Sequence, residues 1–250
     1  MNIDFIDIDN LLELNPNMKI SVKKVSKEQI PILIIDDFYL NPDPIRELFF
    51  KVPVPRMPPE LNLPYKRARV RIPNFLTSNK FQKKLSTILK NFFKIEYDLH
   101  NRDYEFLFNI FGGCLSDYCD AYFAPHSDPY EVACIVYFNK NSEKVGGTSI
   151  YRHKKTDTVF NPKIDFHKQW WEKNIKYPIS FKKELFDYEN TLNHLEKQKY
   201  DNWEIVETID SKYNRFVAYI GGMLHGSSVD LKELKDKPYY RINQVLFMQR

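Results

Sequence analysis

Glycine is scarce in this chain of 250 residues: there are seven, and six of them form the pairs Gly112-Gly113, Gly146-Gly147 and Gly221-Gly222 beside apolar or aromatic runs. Glycine so placed marks tight turns, bulges or a close approach to backbone, so chemistry is sought beside these pairs. Cysteine is scarcer still. Cys114, Cys119 and Cys134 are odd in number and lack metal-pair spacing, which argues against a disulfide framework and a structural zinc site and leads us to expect a reducing, cytoplasmic setting. No apolar run approaches the roughly eighteen residues of a membrane span. The opening MNIDFIDIDNLLELNP is acidic where a secretory signal needs a basic stretch. No long basic block occurs either, and 37 basic against 33 acidic residues leave a net charge of only +4, a poor electrostatic case for nucleic acid. What the chain does have is 43% hydrophobic and 15% aromatic residues, enough for a sizeable core. A single folded domain over 1–250 is the expectation.

The first hundred residues read as a strand and helices. The run Pro31-Ile32-Leu33-Ile34-Ile35-Asp36 suits a buried strand, and Asn41 or Asp43 can cap a short helix over 44–49. Six prolines between 53 and 73 suggest an irregular surface segment, in which Lys66, Arg67, Arg69 and Arg71 could attract an acidic group or simply form a solvated basic edge. Phe81, Leu85, Ile88, Leu89, Phe92 and Phe93 recur at helical spacing with lysines opposite. From Tyr104 the period falls to two. Strands are expected over 104–110, 132–138, 148–153, 203–209, 215–220 and 240–248, with a polar insertion at about 160–200 holding Trp170-Trp171. The expected fold is α+β, a double-stranded β-helix (jelly-roll or cupin-like) core over 104–250 with helices packed outside. Trp170-Trp171 suits an anchor better than a lid; His100, His167 and His194 fall in polar surroundings that suggest solvation.

The chemistry centres on Pro125-His126-Ser127-Asp128. In extended chain, residues two apart point to one side, so an imidazole and a carboxylate can converge on one ion. His225, flanked by glycine in Gly221-Gly222-Met223-Leu224-His225-Gly226, is the best third ligand, with His153 a rival at another strand end. Two histidines and one carboxylate on one face of a metal leave sites open opposite, the facial triad of non-haem Fe(II) oxygenases. Sixteen residues on, Arg241 starts an apolar strand where a guanidinium could grip a carboxylate bidentately or form a buried salt bridge.

Over 109–248 the chain resembles the 2-oxoglutarate/Fe(II)-dependent oxygenases, and within them the prolyl-hydroxylase-like group, through Pro125-His126-Ser127-Asp128, Gly146-Gly147-Thr148-Ser149-Ile150-Tyr151, Leu224-His225-Gly226-Ser227 and Tyr240-Arg241-Ile242-Asn243. Ile35-Asp36-Asp37-Phe38 and Asn41-Pro42-Asp43-Pro44-Ile45-Arg46 are similar to the opening of an uncharacterised bacterial branch. The resemblance implies Fe(II) on His126, Asp128 and His225, with Arg241 and Asn243 holding 2-oxoglutarate. It also implies O₂ as co-substrate and substrate contacts near Tyr151 and Arg152. Asn243 stands where many members carry serine, and Arg241 where this group commonly carries lysine. Halogenating relatives lack the carboxylate that Asp128 supplies, so hydroxylation of an amino acid, peptide or small metabolite is implied. A cupin-like metal enzyme without 2-oxoglutarate, a non-enzymatic binding module that keeps the fold with a dead site, and a nucleic-acid-modifying oxygenase are the alternatives.

Overall fold

The computed structural model describes residues 7–51, 67–72, 79–95, 105–111, 125–140, 146–177, 202–228 and 241–248. Ten strands and four helices follow in the order α1 (Ile8–Leu11), β1 (Lys19–Val25), β2 (Ile30–Asp36), α2 (Pro42–Lys51), β3 (Arg67–Ile72), α3 (Asn79–Phe93), β4 (Glu105–Phe111), β5 (Val132–Tyr137), β6 (Thr148–His153), α4 (Asp165–Asn174), β7 (Trp203–Ile209), β8 (Arg215–Ile220), β9 (His225–Ser227) and β10 (Arg241–Met248). They form a mixed α+β architecture dominated by two antiparallel sheets. The larger has the order β1-β2-β8-β5-β10-β4-β3 and the smaller β7-β6-β9.

Strand parity divides the large sheet into two faces. Phe216, Ala218 and Ile220 of β8 point to the outer face, which aromatic side chains cover: Phe216 stacks on Phe38 at 4.5 Å, and Tyr39 stacks on Phe81 of α3 at 5.9 Å. Phe81, Leu85, Leu89 and Phe93 recur every fourth residue and are all buried, while Lys83, Lys84 and Lys90 stay exposed, so α3 lies on this face along one apolar stripe. The other face looks toward the small sheet. Side chains bond across between them: the Tyr137 hydroxyl meets the Thr148 hydroxyl at 2.5 Å, and Arg241 of β10 donates to the Ser227 hydroxyl of β9 and, at 2.9 Å, to the Gly147 carbonyl just before β6.

β5, β6 and β10 lie inside their sheets and are buried almost throughout, β5 being apolar while β6 and β10 bury polar side chains as well. β1 is the opposite case, exposed at every residue but Val25. Its lysines at 19, 23 and 24 flank the exposed Ile20 and Val22, the charged edge that discourages strand addition.

The expected strands and the α3 helix are present, with differences. The N-terminal part is more than a helical preface, because β1 and β2 form a hairpin whose second strand pairs with β8, from Leu33↔Ala218 to Ile35↔Phe216. Within the proline-rich segment, Arg67–Ile72 is a strand paired with β4. Its alternation Arg-Ala-Arg-Val-Arg-Ile suits a sheet edge with one apolar side. The second half of the anticipated insertion lies outside the described residues.

Candidate metal centre

The chain leaves the large sheet at the end of β8, turns at Gly221-Gly222 and enters the small sheet at β9. The segment leading into β5 runs beside this corner. His126 and His225 face each other as an antiparallel pair that exchanges both backbone hydrogen bonds at 2.8 Å, and the Asp128 amide donates to the Gly221 carbonyl at 2.8 Å. The corner is too close for side chains. A Cβ on Gly221 would lie 2.0 Å from the Tyr130 carbonyl oxygen, and one on Gly222 would lie 2.7 Å from the Phe160 ring. The glycine pair therefore lets the two ligand-bearing segments meet.

His126, Asp128 and His225 each bring one ligand atom, and those atoms lie within 4.8 Å of one another. His225 is buried, Asp128 half-buried and His126 exposed, so the cluster opens toward His126. His225 Nδ1 is 2.9 Å from the Met223 carbonyl oxygen, which can only accept, so Nδ1 carries the proton. In neutral His225 the Nε2 lone pair then points at Asp128 Oδ2, 3.3 Å away. A proton on Nε2 or a metal ion shared with Asp128 satisfies both atoms at that distance. Burial opposes the charge on Asp128, yet His225 and His126 beside it hold its carboxyl below the ordinary range. The Tyr219 ring packs 4.8 Å from that of His225, bracing the imidazole from the large sheet. A backbone carbonyl on the remote nitrogen and a ring against its flank orient this histidine as metal ligands usually are. The donor set is therefore chemically suited to a divalent metal such as Fe(II).

Arg241 is buried between the sheets, its guanidinium donating to the Ser227 hydroxyl and to the Gly147 carbonyl and lying 5.7 Å from the centre of the Tyr137 ring. Asn243 follows on the same face of β10, buried, and its Oδ1 has no hydrogen-bond partner among the described residues. A buried acceptor with no partner among the described residues is costly, and only a donor group, from another residue or from a ligand, relieves it.

Arg152 is different. Its guanidinium makes a two-pronged contact with Glu28, at 2.9 and 3.2 Å, and a further one with Asp157 at 3.0 Å. These bonds join β6 to the β1–β2 turn and place Arg152 in a buried ion pair. Tyr151 packs with Trp203 and Leu224 in a small separate cluster. The His153 ring bonds the Thr156 hydroxyl at 2.8 Å and stays outside the triad.

His167 reverses an expectation. It is fully buried on α4, between the Phe160 and Phe166 rings, with Nε2 2.6 Å from the Tyr130 carbonyl oxygen. The apolar-face spacing of His167, Trp170 and Trp171 was the sequence signal that could have found it. His100, His194, Cys114 and Cys119 lie outside the described residues, whereas Cys134 is buried in β5. Among the described residues no helix is long and apolar enough to cross a membrane.

Residues 16–239 match the "Family of unknown function (DUF6445)". No curated protein matches the sequence. Among solved structures, the chain is similar to that of a protein from Shewanella oneidensis described as a "Putative oxygenase", with 11% identity, a TM-score of 0.47, and coverage of 97% of this chain and 84% of that one. A likeness so distant carries no function across.

Proposed function

We propose that this chain, which belongs to the family of unknown function DUF6445, is a non-haem Fe(II) oxygenase that takes 2-oxoglutarate as co-substrate. The observation that carries the reading is the convergence of His126, Asp128 and His225, with the proton of His225 parked on Nδ1 so that Nε2 is left for a metal. The two facing antiparallel sheets, with the triad at the corner between them, suit a double-stranded β-helix. They also agree with the sequence motifs that resemble this oxygenase family.

When bound, Fe(II) and 2-oxoglutarate would supply oxidative chemistry that no protein side chain offers, coupling decarboxylation of the co-substrate to hydroxylation of a C–H bond. The chain's own work is positional. His126, Asp128 and His225 would hold one face of the metal and leave the other open. Arg241, fixed by Ser227 and Gly147, would pair with the far carboxylate of the co-substrate, and Asn243, two residues on along the same face of β10, would offer its amide N–H to that carboxylate. Asp128 completes a three-protein-ligand set, which favours hydroxylation of an amino acid, peptide or small metabolite. The same bonds that fix Arg241 also suit a structural arginine, and that observation favours a second reading, a cupin-like metal enzyme that does not use 2-oxoglutarate.

Anaerobic titration tests both. Fe(II) followed by 2-oxoglutarate should give a weak visible charge-transfer band that is lost in His126→Ala, Asp128→Ala and His225→Ala. Iron binding without the band would favour the second reading. Undiminished iron affinity in any two of the three variants would sink both.

A further inference from the structure

We infer that His167, which lies outside the triad, is a positioning residue for the metal centre: through the Tyr130 carbonyl it clamps the turn that carries Asp128, and so ties the docking of α4 to metal affinity. The inference rests on the reading of His126, Asp128 and His225 as metal ligands.

The geometry runs through four short links. The Lys163 amide N–H donates to His167 Nδ1 at 3.3 Å, so the imidazole proton sits on Nε2 and is given to the Tyr130 carbonyl at 2.6 Å. Neutral His167 is thereby satisfied at both nitrogens. Gly221 lies close against the Tyr130 carbonyl, since a Cβ on it would fall 2.0 Å from that oxygen. On either side of Tyr130 the chain is bonded to Gly221: the Asp128 amide donates to its carbonyl at 2.8 Å, and its own amide donates to the Glu131 carbonyl at 3.0 Å. The turn from Asp128 to Glu131 is thus a bracket around Gly221, and His167 bonds it from α4, outside the two sheets.

Chemistry explains why such a clamp matters. Asp128 is the only carboxylate of the triad and sits on the short turn between His126 and β5. A shift of a few tenths of an ångström in that turn would move its oxygen relative to the two imidazoles. α4 itself is anchored elsewhere, since the Trp170 indole donates to the Phe93 carbonyl at 3.0 Å and the Trp171 ring packs 4.6 Å from that of Phe160, which is bridged to Met223. The helix is therefore a fixed post, and His167 is the arm that reaches from it to the metal-bearing turn. Groups that orient ligands from behind typically change metal affinity about ten- to a hundredfold when removed.

Co(II) binding by the full chain, read by calorimetry and by the visible spectrum, tests the inference. His167→Leu fills the space and removes both polar atoms; His167→Gln can still offer an N–H near the position of Nε2. Wild type should bind Co(II), the leucine variant about tenfold or more weakly, and the glutamine variant within about threefold of wild type. Tryptophan fluorescence should stay unchanged in all three, because α4 remains docked through Trp170 and Trp171. Equal affinity in wild type and the leucine variant overturns the inference. So does a glutamine variant as weak as the leucine one, because the hydrogen bond would then not be the link. Should the leucine variant fail to fold, His167→Asn replaces it: its amide is too short to reach Tyr130, and affinity equal to that of His167→Gln would overturn the inference. Failure of wild type to bind Co(II) would instead remove the metal reading itself.

Discussion

Two buried histidines lie on either side of the Gly221-Gly222 corner with their protons placed oppositely. His225 holds its proton on Nδ1 and turns Nε2 toward Asp128, whereas His167 holds it on Nε2 and is closed to further bonding. Burial pushes the pKa of His167 down to about 4, outweighing the favourable pull of the Tyr130 carbonyl and of Asp128. An imidazole in water titrates near 6.5, so between those values the unfolded chain binds a proton that the folded chain refuses. Stability should therefore rise with pH from about 4 to 6.5, and acidification across that window should cost up to about 3 kcal/mol, then level off for this group. Urea unfolding at a series of pH values would measure the slope, and His167→Gln should flatten it. At Arg241 the expectation concerns a ligand. Arg241→Met keeps a long side chain without donors and should weaken 2-oxoglutarate by roughly ten- to a hundredfold while leaving Fe(II) nearly unchanged. Arg241→Lys should fall between, having the charge but not the fork. Calorimetric titration of each variant in the presence of Fe(II) decides, and a methionine variant that binds as wild type would show that the carboxylate is held elsewhere.

Among the elements, α4 departs most from what its sequence suggested. It opens a long polar insertion, yet His167, Trp170 and Trp171 bury one side of it. Its amides should exchange slowly with solvent deuterium in the metal-free protein. Fast exchange there would restore a mobile lid. Removing the anchor, as in Trp170→Ala, should cost about 3–5 kcal/mol, measurable by denaturant unfolding. The strands were legible where apolar residues ran together, as in β2, β5 and β8. β1 was missed because Lys19-Ile20-Ser21-Val22-Lys23-Lys24 is the charged alternation of an exposed edge, which resembles a polar loop. β9 was missed because three residues carry no period. The triad was visible because His126 and Asp128 are two apart and His225 stands beside glycine. The role of Arg152 was not, because its partner Glu28 is 124 positions away and only the folded sheets bring them together.

That ion pair acts at the scale of the molecule, joining the turn of the N-terminal hairpin to the small sheet. Both partners are buried, and the bonds from Arg152 and Ser26 hold the Glu28 carboxyl below its ordinary pKa despite the opposing effect of burial. Arg152→Met alone leaves a buried carboxylate unpaired and should cost about 3–5 kcal/mol, whereas Arg152→Met with Glu28→Leu should recover much of that loss. Additive losses in denaturant unfolding would show that the two side chains act independently. The order of the large sheet has a further consequence, for the making of the protein. β10, the last strand in sequence, lies between β4 and β5, and β8 lies between β2 and β5. β4 and β5 therefore each lack a neighbour until β10 has been made, and His225 is made long after His126 and Asp128. Such non-local pairing folds slowly and leaves strand edges open to other chains meanwhile. Chains cut short before β10 should accumulate as aggregates, which fractionation of truncated chains would measure.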